Sequence, residues 1–229
     1  MSTEVPPARG ESGAATDIQI LATEHWSLLA TRALTYNEAL SRVTIFLAIL
    51  SGALIALALI AQADHFGATF ISIAIPMLLV VMFAGIATIS RLQTLNRDDY
   101  RWVIAMNRLR HGYLELRPEL ERYITAGHND DLAGALQTLG IDDVAATRRL
   151  GSVFHVPQTL PGMLTVIVAA VAAAIGALAA LATGIPPLAI AVVAAAVFVL
   201  ALLVMGFWGR RSIKEFPPSL QPRFPSSHS

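Results

Sequence analysis

The chain has 229 residues, of which 55% are hydrophobic and only 14% are charged, and its mean hydropathy is +0.61. This composition is too apolar for an ordinary soluble domain and predicts a membrane protein. The formal net charge is zero and there is no cysteine, which excludes disulfides, thiolate metal sites and cysteine nucleophiles.

The first 42 residues precede the first long apolar stretch. Residues 1–15 are rich in Pro, Gly, Ser and Glu, which predicts a disordered tail because such a segment buries too little apolar surface. In residues 16–42, apolar side chains recur at spacings of three and four, which predicts an amphipathic helix. Its apolar face comprises Ile18, Ala22, Trp26, Leu29, Ala33, Tyr36 and Leu40.

Two uncharged stretches follow, at residues 43–63 and 67–90. At about 1.5 Å per residue, each is long enough to cross the hydrocarbon layer of roughly 30 Å. We therefore expect a first transmembrane hairpin over residues 43–90, with a very short connection.

The sequence of residues 91–155 predicts a helical region outside the membrane. The second span should continue into it as one helix, since neither Pro nor Gly occurs between Ala87 and His111. Pro118 suits the first turn of a further helix, and two short helices are expected at 131–139 and 142–150. A seam of apolar residues comprises Leu95, Trp102, Met106, Leu109 and Tyr113. The apolar face of the N-terminal helix is its most economical partner, and a second protomer is the alternative.

No charged side chain occurs from Val156 to Gly209, a stretch too long for one crossing. Gly184 and the prolines after it break the stretch, so a second hairpin is expected over 160–208, with spans at 160–182 and 187–208. Residues 209–229 are rich in Pro and Ser, which predicts another disordered tail.

The basic residues predict the orientation of the chain. All 16 lie before residue 43, between Arg91 and Arg149, or after Gly209. The positive-inside rule then places both termini and residues 91–155 in the cytosol of a multi-pass protein in the cell (inner) membrane. The fold class predicted is all-α and polytopic, with four transmembrane helices as two hairpins plus a cytosolic helical module.

The spans contain no ionisable side chain, which disfavours an ion-coupled transporter. Small residues spaced four apart allow close helix contact, either within the chain or in an oligomer. These residues are Gly52 and Ala56 in the first span, and Ala172, Gly176 and Ala180 in the third.

One polar cluster outside the spans has two interpretations. His111 and Glu115 lie one helical turn apart, with His128, Asp130 and Asp131 nearby in sequence. This could be a metal or general-base site, or a solvated helix pair followed by a capping turn. The second interpretation is favoured, because the further spacings that make a zinc signature specific are missing. No catalytic, cofactor-binding or metal residue is therefore predicted, and no cofactor.

The segment from Arg91 to Arg122 is rich in arginine. Acidic residues are interleaved with the arginines, which is typical of a salt-bridged face rather than of a nucleic-acid stripe. The arginines are 91, 97, 101, 108, 110, 117 and 122. No nucleic-acid partner is expected.

Two runs of sequence carry a family resemblance. LATEHWSLLATRALTYNEALSRVTIFLAILSGALIALALIAQ and the later MNRLRHGYLELRPELE resemble a family of uncharacterised four-span bacterial integral membrane proteins. This resemblance covers most of the chain and implies no known activity. In layout, residues 17–125 also resemble the SLATT-type proteins of bacterial conflict systems, which are thought to form membrane pores.

The sequence thus favours a non-enzymatic membrane protein that acts through self-association or partner binding. The partners expected are the lipid bilayer, further copies of the chain and a protein that the sequence does not identify. The alternative is an oligomeric channel or pore-forming effector, lined by residues such as Thr69, Ser72 and Thr165. An enzyme using His111 and its neighbours is the third hypothesis and the least favoured.

Overall fold

All regular secondary structure in the described part of the chain is helical. The computed structural model describes residues 11–140, 159–213 and 221–226. In chain order the helices are α1 (Glu11–Asp64), α2 (Ala68–Leu116), the 3-10 helix η1 (Pro118–Tyr123), α3 (Leu132–Thr138), α4 (Leu160–Ala182) and α5 (Pro187–Ile213).

Four of these helices, α1, α2, α4 and α5, are long and apolar enough to cross a membrane. The four predicted spans lie within these helices, except that α2 begins at Ala68 rather than at residue 67, so the all-helical fold with four candidate spans is confirmed. Helix α5 is longer than expected, because it continues past residue 208 to Ile213. The hairpin arrangement and the cytosolic placement of the remaining helices stay predictions.

Helix α1 is one uninterrupted helix of 54 residues, where the sequence predicts a tail, an amphipathic helix and a span. Residues 11–15 are helical rather than disordered, and the helix continues from the predicted amphipathic segment into the predicted span. No Pro or Gly occurs between Ala14 and Ser51, so nothing interrupts helix propagation across the boundary. An ion pair one turn apart, from Arg42 Nε to Glu38 Oε1 at 2.8 Å, lies where the predicted amphipathic segment meets the predicted span.

The ends of the shorter helices follow from local sequence. Helix α2 ends at Leu116, because Pro118 restricts Arg117 to a non-helical φ of −144° and ψ of 78°. Pro118 then opens η1, as expected. Asp131 caps α3 by accepting a hydrogen bond from the Gly134 backbone N–H at 2.8 Å, which confirms the short helix expected there. The helix expected at 142–150 lies outside the described residues.

The described residues form two compact units, each with a hydrophobic core of its own. The first unit comprises residues 11–35, 98–140 and 221–226. The second comprises residues 36–97 and 159–213.

Helices α1, α2 and α4 form the core of the second unit. Phe46 of α1 and Leu164 of α4 are fully buried in it. At Gly85 of α2, a Cβ would collide with Val168 and lie 3.0 Å from the Phe46 ring. The absence of a side chain at residue 85 therefore allows α2 and α4 to approach closely.

Gly176 and Gly52, two of the small residues in the spans, lie in different surroundings. A Cβ on Gly176 of α4 would lie 3.0 Å from Val197 of α5, so this glycine serves packing within the chain. A Cβ on Gly52 of α1 would have no atom within 4 Å. Contact between chains therefore remains open at Gly52.

In the first unit, α1 packs against α2 through a face that contains polar side chains. The rings of His25 and Tyr113 stack with their centroids 6.0 Å apart. Arg32 donates from Nε and Nη2 to the two carboxylate oxygens of Asp99, at 2.6 and 3.2 Å. Between them on α1, Leu28 is buried.

The apolar face predicted for the N-terminal helix is not the face that packs. Trp26 is 71% exposed and Tyr36 is 61% exposed, and Leu29, Ala33 and Leu40 are exposed as well. The prediction that this face covers the seam of α2 is therefore wrong. The two helices do meet in the first unit, but the stacked rings and the Arg32 ion pair set a different rotation of α1.

Candidate functional site

The last turns of α2 fix the loop that leads into α3. Asn107 is fully buried, and its Nδ2 donates to the Asn129 carbonyl at 2.8 Å. Its Oδ1 accepts from Arg110 Nη1 at 2.7 Å and from Thr138 Oγ1 at 2.8 Å. A buried amide with these partners holds one loop conformation, because any other would leave buried polar atoms unpaired.

Two glycines allow the loop and α3 to touch. A Cβ on Gly127 would collide with the Gly134 carbonyl, and a Cβ on Gly134 would collide with the Asn129 carbonyl. The backbones are thus in direct contact on both sides of Asp130 and Asp131. Asp130 and Asp131 are both buried, although both are carboxylates in a turn.

Asp130 binds the C-terminal residues of the chain. Its carboxylate has no exposed surface and accepts the backbone N–H of Arg223, at 3.0 and 2.9 Å to its two oxygens, and that of Phe224 at 2.8 Å. Its own backbone N–H donates to the Phe224 carbonyl at 3.3 Å. Arg108 completes the arrangement by donating from Nε to Asp130 at 2.7 Å and from Nη2 to the Gln221 carbonyl at 2.9 Å.

Asp131 binds the next residues of the same segment. One oxygen caps α3, and the other accepts the Ser226 backbone N–H at 2.8 Å and the Ser226 hydroxyl at 2.5 Å. Consecutive aspartates thus hold consecutive parts of residues 221–226 by charge-assisted hydrogen bonds, which are stronger than neutral ones. We call Arg108, His111, Asp130 and Asp131 the docking site.

An aromatic contact adds to these hydrogen bonds. The Phe224 ring stacks on the His111 ring, with centroids 4.1 Å apart and planes at 22°. The His128 ring lies 6.3 Å from that of His111. His111 therefore serves as the platform for the only aromatic side chain of residues 221–226.

The hydrogen bonds decide the charge of the two aspartates. Burial raises the pKa of Asp130. The hydrogen bonds from the Arg223 N–H, the Arg108 side chain and the Phe224 N–H together lower this pKa by more than burial raises it, so it lies below its ordinary value. Burial likewise raises the pKa of Asp131, and the bonds from Ser226 and Gly134 more than reverse the effect. Both groups are therefore carboxylates at neutral pH.

The structure brings together most of the polar cluster singled out in the sequence, but around a peptide segment. Asp130 and Asp131 accept hydrogen bonds from that segment, and Phe224 covers the His111 ring. Glu115 is exposed, with Oε1 3.8 Å from His111 Nε2. Within residues 11–140, 159–213 and 221–226, no three His, Asp or Glu side chains are placed to hold a metal ion.

The expected mixture of arginines and acids forms short ion pairs. Arg91 bonds Glu38 through both nitrogens at 3.0 and 3.1 Å, and Arg101 contacts Asp98 at 3.2 Å. Arg108 forms its ion pair with Asp130. These pairs agree with a salt-bridged face.

The docked segment is the functional feature that sequence reasoning missed. The sequence predicts disorder for all of 209–229, whereas residues 221–226 are held by specific bonds. The partners lie about ninety residues apart in the chain, beyond the reach of any local pattern. A visible signal does exist in Phe224, an aromatic residue between Arg223 and Pro225 in a tail rich in Pro and Ser.

The chain matches no protein-family model, no curated protein and no solved structure.

Proposed function

We propose that this chain is a non-enzymatic inner-membrane protein that acts through protein contacts, by self-association or partner binding. The observation that carries the proposal is the docking site, which holds residues 221–226 through the backbone N–H groups of Arg223, Phe224 and Ser226. An arrangement of this kind is suited to binding a peptide segment. While the segment is docked, both aspartates accept hydrogen bonds from it.

Because the docking site recognises backbone groups, a different peptide segment could replace residues 221–226 in it. The donors at residues 223, 224 and 226 belong to the main chain, and other peptide segments offer similar donors. What distinguishes the present occupant is the Phe224 ring on His111 and the Ser226 hydroxyl on Asp131. We infer that the site is occupied in cis by the C-terminal segment and is available to a competing segment when the tail is released.

The distribution of basic residues along the sequence supports a cytosolic location for this site. All 16 basic residues lie outside the uncharged stretches, on the parts of the chain that also supply the docking site. The positive-inside rule places those parts in the cytosol. The competing segment would then belong to a cytosolic protein or to another copy of this chain.

A peptide-binding measurement tests the proposal. Phe224→Pro in the full-length chain removes both the stacking ring and one N–H donor, and so vacates the site without altering its aspartates. A fluorescent Gln-Pro-Arg-Phe-Pro-Ser peptide should bind this variant saturably in nanodiscs and bind the unmodified chain less well. Adding Asp130→Asn should abolish binding, whereas Asp98→Asn, at an ion pair elsewhere in the first unit, should not. No saturable binding to the vacated site would refute the proposal.

The alternative function, an oligomeric channel, has less support in the residues proposed to line it. The Ser72 hydroxyl donates to the Thr69 carbonyl, and the Thr165 hydroxyl donates to the Pro161 carbonyl, each at 2.8 Å. These hydroxyl protons are directed into their own helices. The channel stays a prediction, for which ion flux through liposomes containing the purified protein is the test.

A further inference from the structure

Ser226 is bonded to the docking site through both its backbone and its side chain. The backbone N–H and the hydroxyl donate to the same oxygen of Asp131, at 2.8 and 2.5 Å. The second distance is typical of a hydroxyl that donates to a charged carboxylate. The hydroxyl proton therefore allows the Ser226 oxygen to lie this close to a negative charge.

The Asp131 carboxylate is held in place. Its other oxygen caps α3 by accepting the Gly134 N–H at 2.8 Å, and a Cβ on Gly134 would collide with the Asn129 carbonyl. Asp131 is buried and is a carboxylate at neutral pH. The Ser226 oxygen therefore faces a negative charge that cannot move away without uncapping α3.

The neighbouring carboxylate adds to this negative charge. Asp130 has no exposed surface and accepts the Phe224 N–H, two residues before Ser226. Arg108 pairs with Asp130 at 2.7 Å and also donates to the Gln221 carbonyl at 2.9 Å. A new negative charge at residue 226 would thus meet two carboxylates and an arginine that is already bonded to other acceptors.

We propose that Ser226 is a phosphorylation site, and that its phosphorylation releases residues 221–226 from the docking site. A protein kinase transfers the terminal phosphoryl group of a nucleoside triphosphate. The Ser226 oxygen bonds to that phosphorus, the bond from the phosphorus to the nucleoside diphosphate breaks, and the hydroxyl proton passes to a base of the kinase. The proposal rests on the proposed function, because it names the event that vacates the docking site.

The phosphate would act by opposing redocking. The docked hydroxyl is bonded to Asp131, so the kinase reaches it while the segment is locally open. A phosphoserine carries about −1.5 to −2 charges at pH 7 and disrupts a site when it lies beside Asp or Glu. Arg223 belongs to the same segment, so its attraction to the phosphate is available in both states and does not favour docking.

The size of the effect follows from the distances. Two like charges about 4 Å apart, at an effective dielectric constant of about 20, change an equilibrium by about a thousandfold. Ser226 is only half-buried, and solvent screens part of this repulsion. We therefore expect phosphorylation to weaken docking by at least roughly a hundredfold.

A pair of peptides measures this effect at the vacated site. The fluorescent Gln-Pro-Arg-Phe-Pro-Ser peptide, amidated at its end, should bind Phe224→Pro in nanodiscs. The same peptide with phosphoserine at its last position should bind at least roughly a hundredfold more weakly. Equal binding of both peptides would overturn the phosphorylation proposal and leave the proposed function standing, whereas binding of neither would overturn both.

Charge substitutions test the same effect within the full-length chain. Ser226→Asp adds a negative charge, whereas Ser226→Asn has nearly the same size and is neutral. The Phe224 amide should lose at least roughly tenfold more protection from hydrogen exchange in Ser226→Asp than in Ser226→Asn. Gln221→Glu adds the same charge at an exposed side chain of the same segment and should leave protection unchanged. Equal protection in Ser226→Asp and Ser226→Asn would overturn the proposal.

Mass spectrometry of the chain purified from cells that express it natively tests whether the modification occurs. Fragment ions should place a phosphate on Ser226 rather than on Ser227. A chain that carries no phosphate at Ser226 under any growth condition tested would overturn the assignment of this residue as a modification site.

Discussion

Asp130→Asn tests the docking of residues 221–226 with little change of side-chain volume. The aspartate has no exposed surface, and its two oxygens accept from Arg108 and from the backbone N–H groups of Arg223 and Phe224. Asparagine keeps one acceptor oxygen and replaces the other with an NH₂ donor. Whichever way the amide turns, a donor faces a donor and Arg108 loses its counter-charge.

The free energy lost in Asp130→Asn follows from the burial of the ion pair between Asp130 and Arg108. Removing one partner of a buried ion pair costs about 3–5 kcal/mol. The Arg108 side chain is 23% exposed and keeps its hydrogen bond to Gln221, so we expect the lower end, about 3 kcal/mol. A change of about 3 kcal/mol corresponds to roughly a hundredfold change in the population of the undocked segment.

Hydrogen exchange measures that population directly. The amides of Arg223, Phe224 and Ser226 are bound in the docked state, and their protection reports the free energy of local opening. Asp130→Asn should lower their protection by roughly a hundredfold or to the unprotected limit, with amides in the spans unchanged. The control, Asp98→Asn, removes a surface pair at 3.2 Å and should have little effect. Unchanged protection in Asp130→Asn would refute the assignment of Asp130 as the anchor.

Acid should release the same segment. The pKa values of Asp130 and Asp131 are lowered in the folded chain from an ordinary 3.8, so their contribution to docking is fully present above that value and is lost as pH falls through the lower folded values. Amide protection corrected for intrinsic rates should therefore hold at neutral pH and fall only in strong acid, and a loss already near pH 6 would contradict this sign. Gly85→Ala should destabilise the second unit by about 1–3 kcal/mol through overpacking, which thermal unfolding in detergent would report. Gly52→Ala, with no atom within 4 Å of the new Cβ, is its control, and an equal loss in both would contradict the packing at residue 85.

Features with local causes could be predicted from the sequence. A span is specified by an uncharged stretch of sufficient length, and the end of α2 by Pro118 acting on its immediate neighbour. The cap of α3 needs only Asp131 and the backbone three residues later. Each of these causes is contained within one short segment, so no knowledge of packing was required.

The packing face of α1 could not be predicted, because its periodicity permits two faces. Leu21, His25, Leu28 and Arg32 follow the same spacing of four and three as the more apolar row that contains Trp26. Hydrophobicity alone selects the row that contains Trp26 as the packing face. Burying His25 and Arg32 is favourable only because each has a partner on α2. Those partners lie dozens of residues away, where periodicity gives no information about them.

The tail shows how a composition typical of disorder is compatible with a docked segment. Among residues 222–226 only three have a backbone N–H, and all three donate to Asp130 or Asp131. The other two are Pro222 and Pro225, which have no N–H to satisfy. Proline also restricts the free chain, so less conformational entropy is lost on docking. The residues that make the tail unable to fold alone therefore lower the cost of ordering it, and the aspartates of the first unit supply the acceptors that the tail lacks.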